Sequence, residues 1–181
     1  MGLTVERARE LLAYDPATGA LVWRARSLEH FLASERRTRE HARAAWNAKN
    51  ADKPAGTPSH GYLRVTIGSQ SFPAHRLAWL IMQGEWPTAD IDHVNMDRSD
   101  NRWSNLRAAT RSQNKANQRR RSLNTSGWAG VTWDKERGKW LAQIKVEYRT
   151  HFIGRFDCPA AAAFAYQIEA DKAFGDFARI S

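Results

Sequence analysis

An α+β architecture is what the amino-acid sequence predicts, and three stretches predict it. Tyr62–Ile67 alternates apolar and polar side chains with period two, the pattern of a half-buried strand, and the apolar run Ala74–Gln83 follows it as a helix. Ile91–Asn117 reads as strand, polar loop, strand and helix. Residues 128–181 read as short strands followed by one long helix.

At 181 residues the chain has room for one medium domain or two or three small ones. A formal charge of +9 and a pI of about 10.2 favour a polyanionic partner. Cys158 is the single cysteine, which excludes a disulfide framework and a multi-cysteine zinc site within the chain. The longest apolar run, Leu77–Met82, is too short to span a bilayer. The opening MGLTVERARE mixes acids and bases where a signal peptide carries an apolar stretch. The expectation is an intracellular protein that makes no membrane contact.

Thr4 is placed to cap a first helix in which Val5, Ala8, Leu11 and Leu12 have helical spacing. Tyr14–Gly19 reads as a turn and Ala20–Trp23 as a strand. Ser27–Asn50 is charged and helix-compatible, with Phe31, Leu32, Ala42, Ala45 and Trp46 as candidate buried positions. Arg36, Arg37, Arg39 and Arg43 offer a basic surface to DNA, but interleaved Glu29, Glu35 and Glu40 favour a solvated helix. Ala51–Ser59, with Pro54, Gly56 and Pro58, reads as a linker. Gly68-Ser69 turns the Tyr62–Ile67 strand into a second one that begins at Gln70. Gly84 ends the Ala74–Gln83 helix, in which Trp79 and Leu80 read as core.

Ile91-Asp92-His93-Val94 is a short strand, Asn95–Ser104 a loop, and Leu106–Ala109 the return strand. Thr110 and Gln113 form a capping box that starts a helix at Arg111 and puts Asn114 near its beginning. Asp92, His93, Asn105 and Asn114 cannot build a core. An acid, an imidazole and two amides can hold a divalent metal beside a general base. Each Asn taken singly is as readily a turn residue; the joint pattern points to chemistry. Beyond it, Arg111, Lys115, Arg119, Arg120 and Arg121 follow one another with no acid between them, a run suited to phosphates.

The pattern D-H-x-N, D-N-R-x-x-N-L-R and T-x-S-x-N resembles the HNH nuclease motif in its ββα-metal form. Asn114 stands where the motif's last His is named, the HNN variant familiar among phage homing enzymes. The resemblance implies that His93 is the general base, that Asp92 and Asn114 hold one magnesium or manganese ion, and that Asn105 steadies the loop. An amide in the last position argues for a hard metal bound through oxygen and against zinc. Products with 5′-phosphate and 3′-hydroxyl ends are implied as well. A His-Arg pair like His75-Arg76 recurs before such a helix in phage proteins of this kind. Arg76 is therefore a candidate phosphate contact, while His75 reads equally as structural.

Leu123–Gly127 reads as a hinge. Val131–Trp133, Trp140–Val146 and His151–Ile153 are expected strands, and Pro159 opens a helix that Gly175 stops. Ala161, Ala165, Ile168 and Lys172 fall on one face of it, where small alanines let a helix lie close on a sheet. The motifs S-G-W-A-G-V, G-K-W-L-A-Q-I, I-G-R-F, A-A-A-A-F-A-Y and F-G-D-F-A span Ser126–Ala178. They resemble the DNA-binding domain of plant APETALA and ethylene-response factors, which implies a sheet laid in the major groove. Thr132, Asp134, Gln143, Lys145 and Thr150 stand where that family reads bases or holds phosphates. Several of its arginines are missing here, so base preference does not transfer. Trp133, Arg137, Lys139 and Arg149 are candidate substitutes, and Trp140 reads as core.

The expected organisation is an N-terminal helical and strand segment (1–50), an HNH nuclease domain (51–122) and an APETALA-like DNA-binding domain (123–181). In fold terms this is a ββα-metal nuclease core plus a small three-stranded antiparallel sheet packed on one helix. The expected function is a metal-dependent DNA endonuclease of homing type, acting on double-stranded DNA in the cytoplasm of a bacterial host without an obligate protein partner. The alternatives are a non-catalytic DNA-binding regulator with a decayed nuclease fold, and a structural or RNA-binding protein. Aromatics that look core-bound argue against an RNA-stacking strip.

Overall fold

The computed structural model describes residues 2–34, 36–117 and 126–178. Thr4 Oγ1 accepts the Arg7 N–H at 3.2 Å and caps helix α1, Val5–Leu11. The chain runs on into strand β1 (Leu12–Tyr14), turns, and returns antiparallel as β2 (Leu21–Trp23), with Leu12 opposite Trp23. A 3-10 turn at Leu28–His30 precedes helix α2, Arg39–Asn50, capped by Thr38. Because the helix starts at that cap, the segment before it has no helical face, and Leu32 is 88% exposed rather than buried. Arg36, Arg37, Arg39 and Arg43 are all exposed.

The expected linker is part of the structure. The Ala55 N–H donates to the Leu21 carbonyl at 2.7 Å, Pro54 bridges Val22, and Ala55 is buried. Strand β3 (Thr57–Ser59) then pairs with β4 (Tyr62–Ile67), which pairs with β5 (Gln70–Pro73), all antiparallel. Pro58 is tolerated because β3 is an edge strand. Helix α3 (Ala74–Gln83) ends at Gly84, whose φ of 83° provides the left-handed stop. Leu11, Leu12, Leu21, Ala55, Val65, Ala74 and Leu77 make one core. Full burial of a leucine contributes about 1.5–3 kcal/mol, so this core welds the N-terminal helix and hairpin to β4 and α3. Ala78, Ile91 and Leu106 form a smaller cluster beside it.

Strand β6 (Asp90–His93) shares a two-stranded sheet with β7 (Leu106–Ala109). A loop and a 3-10 turn at Trp103–Asn105 lie between them. Helix α4 (Arg111–Ala116) opens on a complete capping box of Thr110 and Gln113. The chain clusters into two compact units, Met1–Arg107 and Ala108–Ser181, so α4 belongs to the second. Arg119, Arg120, Arg121 and the expected hinge as far as Thr125 lie outside the described residues.

In the second unit, β8 (Val131–Asp134), β9 (Lys139–Val146) and β10 (Arg149–Phe156) form a three-stranded antiparallel sheet in the order β10-β9-β8. Helix α5 (Pro159–Phe174) packs on it, with Pro159 in its first turn. The buried face of α5 is Ala162, Ala163, Ala170 and Phe174, whereas Ala161 and Ile168 are exposed. The run of alanines at 160–163 has no polar contrast, so the sequence pattern could not fix the helix's phase. Gly130, at φ 63°, brings the start of β8 so near α5 that a Cβ there would lie 2.2 Å from the Tyr166 ring. A helix of six residues is unstable by itself. Within this unit α4 is supported by Ala116, which packs against the Ile144, Ala170 and Phe174 cluster, and by the Ser112 hydroxyl, which accepts the Glu147 N–H at 3.4 Å.

Candidate active site

Adjacent residues of a strand point to opposite sides, and the end of β6 uses this. Asp92 turns to Arg107, whose Nε and Nη2 both donate to its Oδ2 at 3.0 Å. His93 turns into a nest of rings: His75 lies edge-on with centroids 5.1 Å apart, and Tyr62 is at 6.2 Å. Both Asp92 and His93 are buried. Burial lowers the His93 pKa, so the ring is held neutral, while the amide oxygen of Asn101, 3.5 Å from Nε2, pulls the other way. In the neutral tautomer that donates from Nε2 to this oxygen, the basic lone pair is on Nδ1.

Asn105 bridges the loop between β6 and β7. Its Oδ1 accepts the Asn95 N–H at 2.9 Å, its Nδ2 donates to the Asp100 carbonyl at 2.8 Å, and its own carbonyl accepts the Val94 N–H at 2.9 Å. Asp100 is locked by Arg102 at 2.6 Å, which holds its carboxyl down at about 2. The N-terminal hairpin backs this loop. Tyr14 Oη donates to the Asn101 carbonyl at 2.7 Å, and the Trp103 N–H donates to the Pro16 carbonyl at 3.0 Å. Gly19, at φ 76°, touches the loop so closely that a Cβ would lie 2.4 Å from the Arg102 nitrogen.

Sequence reasoning missed Asn101, Tyr62 and the hairpin. Asn101 was legible as the middle of D-N-R, where a buried amide (2% exposed) is unusual enough to need a partner. His75 is buried against Tyr62 (centroids 5.4 Å) and His93, and its pKa is pushed down to about 3, chiefly by burial. An unfolded chain protonates this ring near 6.5 and the folded one does not. The stability it allows is therefore complete above pH 6.5 and drains as pH falls towards 3, at up to about 1.4 kcal/mol per pH unit. Denaturant melts at pH 7, 6, 5 and 4.5 should show a steeper loss for the wild type than for His75→Leu. Parallel profiles would mean that the ring is hydrated.

A carboxylate oxygen of Asp92 and the amide oxygen of Asn114 are hard donors of the kind magnesium and manganese take. Asp92 and Asn105 come together with His93 in the first unit, and Asn114 is carried by α4 of the second. A different group, Glu10, Glu29 and His30, has side-chain atoms close enough to grip an ion. Glu10 is already paired with Arg7 and with His30, each at 2.6 Å, and Glu29 accepts the Ser27 hydroxyl at 2.7 Å. An arginine inside the group repels a cation, so it is an ion-pair cluster.

The candidate DNA contacts fall in distinct places. Arg76 is committed to the chain: it donates to the Pro87 carbonyl at 3.2 Å and lies over Trp86 at 5.9 Å. Arg111 and Lys115 sit on α4. On the C-terminal sheet the register decides. Val131 and Ala142 face α5, so Thr132, Lys139, Leu141, Gln143, Lys145, Thr150, Phe152 and Arg155 line the opposite face. Trp133, stacked edge-on with Trp140 at 5.1 Å, shares the side of Val131 and is not in that row. Arg149, opposite Val146, is on the helix side too. Arg137 and Lys139 are exposed and paired with Asp134 and Asp157. Phe152 (61% exposed) and Arg155 were not anticipated; the guanidinium is steered by Asp134 at 2.9 Å and lies over the Phe152 ring at 5.1 Å.

Residues 72–116 match the HNH endonuclease family. Protein 3.8 of Escherichia phage T7 is 30% identical over 106 residues, which cover 58% of this chain and 87% of that protein. No solved structure matches the chain at a significant level. No helix among the described residues is long and apolar enough to cross a membrane.

Proposed function

We propose, for a chain that belongs to the family of protein 3.8 of Escherichia phage T7 and carries an HNH endonuclease match over residues 72–116, that it is a metal-dependent DNA endonuclease of homing type. The observation that carries the reading is His93, a buried neutral imidazole at the end of β6, next to a buried carboxylate and just before a loop clamped by Asn105. His93 takes a proton from water, and the water oxygen attacks phosphorus as the bond to the 3′ oxygen breaks. Asn101 holds the imidazole in the tautomer that can accept that proton. Asp92 and Asn114 would hold one magnesium or manganese ion, which would supply charge stabilisation to the reacting phosphate. Arg111 and Lys115 supply phosphate affinity, and the outward row of the C-terminal sheet supplies selectivity for double-stranded DNA. The products carry 5′-phosphate and 3′-hydroxyl ends.

The test is incubation of the purified protein with plasmid and phage DNA, with magnesium, manganese or excess chelator, and then mapping of the ends. Cleavage is expected with either metal and not in chelator, and Asp92→Ala should lose the metal-dependent turnover. Robust cleavage in excess chelator contradicts the site. One observation favours the alternative of a DNA-binding regulator with a decayed nuclease site: Arg107 already occupies Asp92 Oδ2, where it competes with a cation. Tight DNA binding without cleavage under every metal condition would decide for that reading.

A further inference from the structure

Beside α4 lies a cavity of about 190 Å³, lined by Arg111, Lys115, Lys145, Tyr148, Tyr166 and Phe174 among others. It is smaller than the roughly 300 Å³ at which drug-sized pockets begin, so it suits one small planar or anionic group. Among the described residues no carboxylate lines it. None of its three cations is ion-paired with a described residue. Phe174 belongs to the apolar cluster beneath, and burial pushes the Tyr166 phenol up, so that ring is neutral. The cavity thus joins apolar and aromatic walls to concentrated positive charge.

Tyr148 is the second observation. It sits in the turn between β9 and β10, 68% exposed, with the Lys115 ammonium 5.9 Å from its ring. Glu147 and Tyr148 have φ of 46° and 67°, positions where such turns ordinarily take Asn and Gly. An exposed aromatic held in left-handed backbone adds nothing to the core and costs backbone energy, a combination found where a side chain serves binding. On α4, Arg111 and Lys115 share the cavity side, and at 100° per residue Asn114 lies off it.

We propose that this cavity takes a single unpaired nucleotide of the bound DNA strand, its base against Tyr148 and the apolar wall and its flanking phosphates on Arg111 and Lys115. A paired base is inside its stack and cannot enter, so the nucleotide is extruded or already single-stranded. The proposal rests on the DNA-binding reading above and adds a preference that reading does not contain. Base stacking on an aromatic combined with phosphate contact is the sequence-tolerant way to hold one such nucleotide.

The experiment is fluorescence anisotropy of the full chain, in chelator to prevent cleavage, on matched duplexes: fully paired, carrying a one-nucleotide bulge, and carrying an abasic bulge. The bulged duplex is expected to bind roughly tenfold tighter than the paired one, the abasic bulge to lose most of that gain, and free deoxynucleoside monophosphate at the same concentration not to compete. Tyr148→Gly relieves the backbone, so its melting temperature should be equal or higher while the bulge preference disappears; Tyr148→Phe should keep the preference. Equal binding of bulged and paired duplexes overturns the pocket and leaves the DNA reading standing. An abasic bulge as good as the natural one, or saturation by the free monophosphate, overturns it too, as does a Tyr148→Gly protein that melts lower yet keeps the preference. Failure to bind any duplex overturns both.

Discussion

His93→Ala is expected to cut DNA about 10²–10⁴-fold more slowly than the wild type while binding it almost as tightly. That range is what a positioned general base contributes. On the proposed reading affinity comes from cations on other elements, Arg111 and Lys115 among them, so it should survive. The two effects separate in single-turnover cleavage of supercoiled plasmid and anisotropy on the same duplex. The pH profile adds a signature. Burial lowers the His93 pKa from its usual 6.5, so the wild-type rate should hold below pH 6.5 before it falls as the ring protonates. His93→Ala cleaving at the wild-type rate would remove His93 from the chemistry.

Gly19→Ala is expected to be among the most damaging conservative substitutions in the first unit, although Gly19 bears no chemistry. At φ 76° an alanine costs about 1–2 kcal/mol in backbone strain. Its Cβ would also lie 2.4 Å from backbone atoms of Asn101 and Arg102, which cannot swing away as a side chain would; overpacking of this kind costs typically about 1–3 kcal/mol more. At roughly 4–8 °C per kcal/mol for a unit of this size, the melting temperature should fall by about 10 °C or more. Gly68→Ala is the control, because Gly68 has φ 63° but nothing within 4 Å of its Cβ position. It isolates the backbone strain. Cleavage by Gly19→Ala should fall further than its stability alone predicts, since the displaced loop carries Asn101, the amide on His93 Nε2. Equal melting temperatures for the two variants would mean that the hairpin does not press on the loop.

Much of the local structure was legible because it rests on local chemistry. The capping box at Thr110 and Gln113, the Gly84 stop, the period-two strand Tyr62–Ile67 and the hairpin after it are decided by residues a few positions apart. The constellation of Asp92, His93, Asn105 and Asn114 could be picked out in the same way, since its residue types fit no core. Misreadings came where the deciding partner is distant. Pro54, Gly56 and Pro58 look like a linker until Leu21 and Val22 are seen to bind the segment. The α5 alanines carry no phase until the sheet chooses one.

By itself, then, the sequence determined the type of most of the elements and marked out a set of polar residues that fit no ordinary core, because propensity, capping and side-chain chemistry act over short range. Only the tertiary structure decided that the N-terminal hairpin braces the loop through Tyr14, Pro16 and Gly19, that His75 and Asn101 surround His93, and that α4 rests on the C-terminal sheet module. It also separated Phe152 and Arg155 from Trp133 by the face of the sheet they occupy. Each of these depends on contacts between residues far apart in the chain, and such contacts are selected by packing of the whole unit, which no local pattern encodes.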